Sequence, residues 1–166
     1  ARLRQEIDDH IESERLLSTT GHVPKEEYTI PFGQALIRRE GTDCTVISFG
    51  RPLHFCLEAA EELAKDGISC EVVDGRTIRP LDIDTMVDSV RKTNACVVVD
   101  QSWSFASLGS EIASQIHSIC FDDLDNYVHR VHSDDVPTPY AQNLEQAYLP
   151  NTRKICEAVR AATYNA

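Results

Sequence analysis

From residue 45 onward, short β-branched runs alternate with longer stretches that repeat apolar residues every three or four positions. Thr45 to Phe49 reads as a strand ending at Gly50. Leu53 to Lys65 reads as a helix, with Cys56, Leu57, Ala60, Leu63 and Ala64 on one stripe and Gly67 as the stop. Ser69 to Val73 is the next strand. Asp82 to Lys92 carries Ile83, Met86, Val87 and Val90 on one helical face, and Asp82 follows Pro80 as an N-cap. Ala95 to Val99 is a continuous apolar run, the pattern of a strand covered on both faces. Leu108 to Ile119 predicts a helix with Ile112, Ile116 and Ile119 inward, and Val128 to Val131 a further strand. After Pro137-Thr138-Pro139, Asn151 caps a last helix reaching to about Ala162.

The start of the chain is less regular. Residues 1–17 are acidic, and Ser18 to Glu27 reads as a linker. Tyr28 to Glu40 alternates around Ala35-Leu36-Ile37 and predicts an edge strand ending at Gly41. Residues 1–27 are therefore expected to be a segment and linker, and residues 28–166 one domain. Strand–helix–strand alternation with short links implies right-handed crossovers. The expected fold is three-layer α/β/α with a mostly parallel sheet.

Charge narrows the partners. The 166 residues carry a net charge of −11, which repels phosphate backbones and anionic membranes, so nucleic acid and membrane are not expected partners. A basic protein partner suits this chain better, and plain solubility is the other reading of the charge. No stretch approaches the ~20 apolar residues of a membrane span, and no export signal is read before the domain. The cysteines Cys44, Cys56, Cys70, Cys96, Cys120 and Cys156 lie mostly in apolar runs without metal-ligand spacing, so they read as buried, reduced thiols. His129 and His132 lie three apart in a strand and point to opposite faces, not at one metal.

Candidate chemistry is sparse. The turn Ser48-Phe49-Gly50-Arg51-Pro52 sits where doubly wound folds bind ligands, but it lacks the glycine pattern of a nucleotide loop. Ser110, Asp100 and His117 are triad residue types without a Gly-x-Ser-x-Gly elbow. Asp122, Asp123, Asp125, Asp134 and Asp135 lack calcium-loop spacing; they form a solvated surface or a docking patch. In Asp74-Gly75-Arg76-Thr77-Ile78-Arg79-Pro80-Leu81-Asp82, two arginines and an aspartate share one loop. Arg76 and Arg79 can anchor that loop or bind an anion.

That segment, preceded by Cys70-Glu71-Val72-Val73, resembles the signature of the transketolase-type C-terminal domain. More narrowly, the chain resembles the C-terminal half of pyruvate dehydrogenase beta subunits. Tyr28 to Ala35, Cys56-Leu57-Glu58-Ala59-Ala60, Val87 to Asn94 and Asp134 to Ala141 carry the same resemblance in one register from about Val23 onward. Val136-Pro137-Thr138-Pro139-Tyr140 and Asn143-Leu144-Glu145 favour the pyruvate enzyme over its branched-chain relative. Gln101 and Ser102 stand where the family has two glycines before Trp103, and a glycine common near Ser107 is also missing.

The resemblance implies an α2β2 thiamine diphosphate and magnesium enzyme that decarboxylates pyruvate and reductively acetylates lipoyl groups, in the mitochondrial matrix or bacterial cytoplasm. It implies that neither group is bound by this chain alone, that the thiamine-activating glutamate lies in a half outside this chain, and that Glu12 to Leu17 is the remnant of that half. No catalytic, cofactor-binding or metal residue is expected here, and the chain alone is expected to be inactive. The implied partners are the alpha subunit, a second beta subunit and the binding domain of the dihydrolipoyl acetyltransferase. The implied docking residues are Asp125, in a Leu-Asp turn, and Ala166. A branched-chain 2-oxoacid or acetoin enzyme, or a free-standing α/β binding module, are the alternatives.

Overall fold

The computed structural model describes residues 25–164, together with Leu16 and Thr20. Of the segment and linker expected over residues 1–27, all but Leu16, Thr20 and residues 25–27 lies outside the described residues, as does Ala166.

Five strands form one sheet: β1 (Leu36–Arg39), β2 (Cys44–Ser48), β3 (Cys70–Asp74), β4 (Cys96–Trp103) and β5 (His129–Ser133). The helices are α1 (Pro52–Lys65), α2 (Ile83–Thr93), α3 (Leu108–Ile119), α4 (Gln142–Tyr148) and α5 (Thr152–Ala162). The strand order is β1-β3-β2-β4-β5. β2 pairs in parallel with β3 and β4, β4 pairs in parallel with β5, and β1 is an antiparallel edge on β3.

The strand alternation sorts the core into two layers. Cys44, Val46, Val72, Val97, Val99 and Val131 face α1 and α5. Ile47, Val73, Cys96 and Val98 face α2 and α3. The apolar run of β4 is thus covered on both sides, as a central parallel strand requires. The three-layer α/β/α expectation holds in this arrangement.

Several local expectations change. The strand expected over Tyr28 to Glu40 shrinks to Leu36–Arg39. Pro31 has no amide proton for a ladder, Gly33 takes a left-handed φ of 72°, and Ile30 and Phe32 stay exposed. On α1 the inward stripe includes Leu53 and Ala59, whereas Ala64 is exposed. On α3, Ile119 points outward at 46% exposure and Ala113 takes an inward place. The short α4 has no apolar stripe to announce it, and only Tyr148 is buried in it. The caps follow the sequence: Asp82 accepts from Thr85 N, and Asn151 accepts from Lys154 N.

Candidate functional site

The Asp125 turn follows α3 and is gripped from two elements. Asn94 ends α2 in a left-handed conformation, φ 58°, which asparagine tolerates better than most residues. Its carbonyl accepts from Asp125 N at 2.9 Å, and its side-chain amide donates to Asp123 O at 2.6 Å. From beyond α5, the Tyr164 hydroxyl donates to Asp125 O at 2.7 Å, and Asn126 donates to Ala161 O at 3.1 Å. Leu124 packs under the turn against the α2/α3 layer. Both backbone polar groups of Asp125 are therefore occupied. Its side chain is exposed and makes no hydrogen bond or ion pair with the described residues. Asp123 differs, since Arg91 Nε pairs with it at 3.2 Å. Phe121, Tyr127 and Tyr164 expose aromatic surface on residues flanking or touching this turn.

In the loop after β3, Asp82 ties the edge segment to α2. Its carboxylate accepts from Ala35 N at 2.8 Å, from Thr85 N at 3.2 Å and from Thr85 Oγ1 at 2.8 Å. Burial pushes the Asp82 carboxyl up, but these hydrogen bonds outweigh it and hold the group below its ordinary value. Thr77 completes the fastening: its hydroxyl donates to Pro80 O and accepts from Gly33 N, each at 2.9 Å. Arg76 adopts a left-handed φ of 53°, and its amide donates to Asp74 Oδ1 at 3.1 Å. The guanidinium groups of Arg76 and Arg79 make no hydrogen bond or ion pair with the described residues, and Arg79 is exposed. Thr77 and Asp82 do the fastening.

In the second half of β4, the buried Asp100 carboxylate accepts from Ser102 N, Ser102 Oγ and Gly109 N at 2.9, 2.6 and 2.9 Å. It thereby caps the first turn of α3, where the helix dipole favours a negative charge. Ser110 Oγ instead donates to Ser104 O, and His117 lies edge-on to Phe121. Ser110, Asp100 and His117 form no hydrogen bond with one another, so the structure holds no triad there. Ser102, Trp103, Phe105, Ala106, Ser107, Thr138 and Tyr148 line an open hollow of about 300 Å³ beside this loop. Trp103 Nε1 donates to Tyr148 Oη at 2.9 Å across it.

His129 and His132 do not converge. His129 stacks on Tyr127, with ring centroids 4.1 Å apart, while His132 faces the first turn of α3 at Gly109. All six cysteines are free and buried. Among the described residues, no group of three or more His, Cys, Asp or Glu could hold a metal ion.

One feature escaped the sequence reading. Glu71 is fully buried in β3, where its carboxylate meets Lys92 of α2 and accepts from Gly41 N at 3.3 Å. Beside it, Thr45 bonds Ser89 at 2.8 Å and Thr93 at 2.7 Å. The only signal was one carboxylate inside the apolar run Cys70-Glu71-Val72-Val73.

Comparison with known proteins fits this architecture. The family described as transketolase, C-terminal domain, matches residues 33–155. A pyruvate dehydrogenase E1 component subunit beta from Rickettsia felis is 44% identical over 154 residues, covering 93% of this chain and 47% of the relative. The mitochondrial counterpart from Dictyostelium discoideum is 45% identical over 138 residues, 83% of this chain and 39% of the relative. A 2-oxoisovalerate dehydrogenase subunit beta from Bacillus subtilis is 40% identical over 153 residues, 92% of this chain and 46% of the relative. The chain thus spans about half the length, or less, of the curated relatives it matches. Among solved structures, a split gene transketolase in an inactive beta4 tetramer superposes with a TM-score of 0.70 at 26% identity, over 87% of this chain and 46% of that one. With the family matched over most of its length and the sheet superposing on a transketolase, the chain belongs to the transketolase C-terminal domain family.

Proposed function

We propose that this chain is the C-terminal domain of a pyruvate dehydrogenase beta subunit, serving α2β2 assembly and docking to the dihydrolipoyl acetyltransferase core. The whole enzyme decarboxylates pyruvate and reductively acetylates a lipoyl group. The proposed partners are the alpha subunit, a second beta subunit and the small basic binding domain of the acetyltransferase. Thiamine diphosphate and magnesium belong to the parts of the enzyme outside this chain, and no chemical step is assigned to the residues here. A mitochondrial matrix or bacterial cytoplasmic location accords with the names of the relatives.

The observation that carries the docking role is Asp125: its backbone is held at both polar groups while its carboxylate stays open to solvent. An unpaired carboxylate on a held backbone, in a chain of charge −11, is suited to receiving a cation from a basic partner. Ala166 joins it as the second docking residue of the proposal. Calorimetry with the acetyltransferase binding domain tests this. Asp125→Ala should bind about tenfold more weakly, with a flatter dependence on salt. Unchanged affinity and unchanged salt dependence would refute the docking role.

A second reading has its own support. The 2-oxoisovalerate dehydrogenase subunit beta is 40% identical to this chain, within a few per cent of the pyruvate relatives. Turnover of pyruvate against 2-oxoisovalerate by the full-length enzyme separates the two.

A further inference from the structure

The turn that presents Asp125 depends on a residue far away in sequence. Tyr164 lies beyond α5, in a left-handed conformation with φ 57°, and its ring is largely exposed. Tyrosine has no intrinsic reason to adopt that backbone geometry. The conformation coincides with the reach of its hydroxyl to Asp125 O at 2.7 Å, beside the Asn126 bond to Ala161 O. On the other side of the residue, Asn94 O holds Asp125 N. The two peptide groups flanking the Asp125 Cα are thus clamped by different elements, and the side chain between them is free.

We infer that Tyr164 is a positioning residue for docking: its hydroxyl fixes the peptide of Asp125, so the Cα–Cβ bond that carries the carboxylate is already aimed when a cationic partner arrives. The inference rests on the docking role proposed for Asp125 and adds a second site of control to it. Preorganisation lowers the ordering cost that binding otherwise carries. Tyr164 brings no charge of its own, so it acts on how long the complex lasts rather than on its electrostatic steering.

The test is a double-mutant cycle on the chain at its full natural length, with the acetyltransferase binding domain as probe. Tyr164→Phe removes one hydrogen bond and keeps the ring. It should weaken binding roughly 2- to 10-fold, mainly through faster dissociation, with the salt dependence of the unaltered protein. In the Asp125→Ala background the same substitution should have no further effect, because the group it orients is gone. A purely structural role would lower affinity equally in both backgrounds, and that result overturns the inference, as does wild-type affinity for Tyr164→Phe alone. If Asp125→Ala itself binds normally, the docking reading fails first and this inference with it.

Discussion

Lys92 on α2 closes an ion pair with Glu71 of β3, a carboxylate with no exposed surface, and at the same time reaches Glu40 at 3.0 Å. Glu40 follows β1, so one ammonium group links the edge strand, an inner strand and a helix. Burial pushes the Glu71 carboxyl up, yet the hydrogen bonds from Lys92 and Gly41 N outweigh it and hold the group below its ordinary 4.5. The bond to Glu71 lifts the Lys92 ammonium above its ordinary 10.5. Glu71 contributes stability that is present above pH 4.5 and fades as pH falls through its lower folded value. Lys92 contributes stability that is present below pH 10.5 and fades as pH rises through its higher folded value. The pair therefore acts across the whole range between.

Removing the ammonium leaves a buried carboxylate unpaired. Lys92→Met should cost about 2–3 kcal/mol at pH 7, somewhat less than for a fully buried pair because Lys92 is itself 42% exposed. Without its main partner Glu71 titrates upward, burial now outweighing the remaining Gly41 N bond, and the variant gains relief by taking up a proton. The deficit against the wild type should then shrink between pH 7 and 5. Urea unfolding at both values measures it. A deficit that is constant or grows toward pH 5 contradicts this account.

The fold was legible because periodicity reports which faces are covered, and both core layers are built from such periodic elements. Asp82 and Asn151 could be assigned as caps because capping is local chemistry. What the pattern missed depends on contacts distant in sequence. Ile119 falls on the expected stripe, but it ends a helix and remains 46% exposed. Arg76 and Arg79 drew attention as charges, yet the loop is held by Thr77 and Asp82, whose partners Gly33 and Ala35 lie more than forty residues away. Tyr164 and Asp125 are 39 positions apart, and no spacing rule joins them. Asp125 itself stood out through family resemblance, since an exposed aspartate in an acidic chain is otherwise unremarked.

The cysteines give a sharp chemical expectation. Burial pushes the Cys56 and Cys70 thiols up to about 12 and raises Cys44, Cys96, Cys120 and Cys156 as well. The thiolate is the reactive form, so almost none is present at pH 8. Titration with a disulfide reagent at pH 8 should consume almost no reagent within minutes in the native protein, and six equivalents after unfolding. Prompt reaction of any thiol in the native state would show that its layer opens locally.

His132 predicts an acid-side slope. Both ring nitrogens are buried. Burial lowers its proton affinity below the ordinary 6.5; Asp100 opposes that effect, whereas Arg130 adds to it. The unfolded chain therefore takes up this proton first as pH falls below 6.5, and the folded state loses stability until its own lower value is passed. His129 is depressed in the same way. His132→Gln should flatten part of the stability loss between pH 6.5 and 5, read from thermal midpoints. An unaltered slope would mean that His132 does not contribute.

Two glycines separate steric need from conformational need. At Gly41 a methyl group would overlap the peptide joining Cys70 to Glu71, where the chain passes against β3. That neighbour is backbone inside the sheet and cannot swing aside, so Gly41→Ala should cost more than about 3 kcal/mol or prevent folding. It would also displace the amide that donates to Glu71. At Gly50 nothing lies within 4 Å of the added methyl, but φ is +64°. Gly50→Ala should cost only about 1–2 kcal/mol, the left-handed penalty of an L-residue. Gly50→Asn should recover part of that, since asparagine tolerates the region better. Chemical denaturation of the three variants gives the order Gly41→Ala far below Gly50→Ala, with Gly50→Asn the mildest. If Gly41→Ala proves as mild as Gly50→Ala, the close approach of residue 41 to β3 is not rigid.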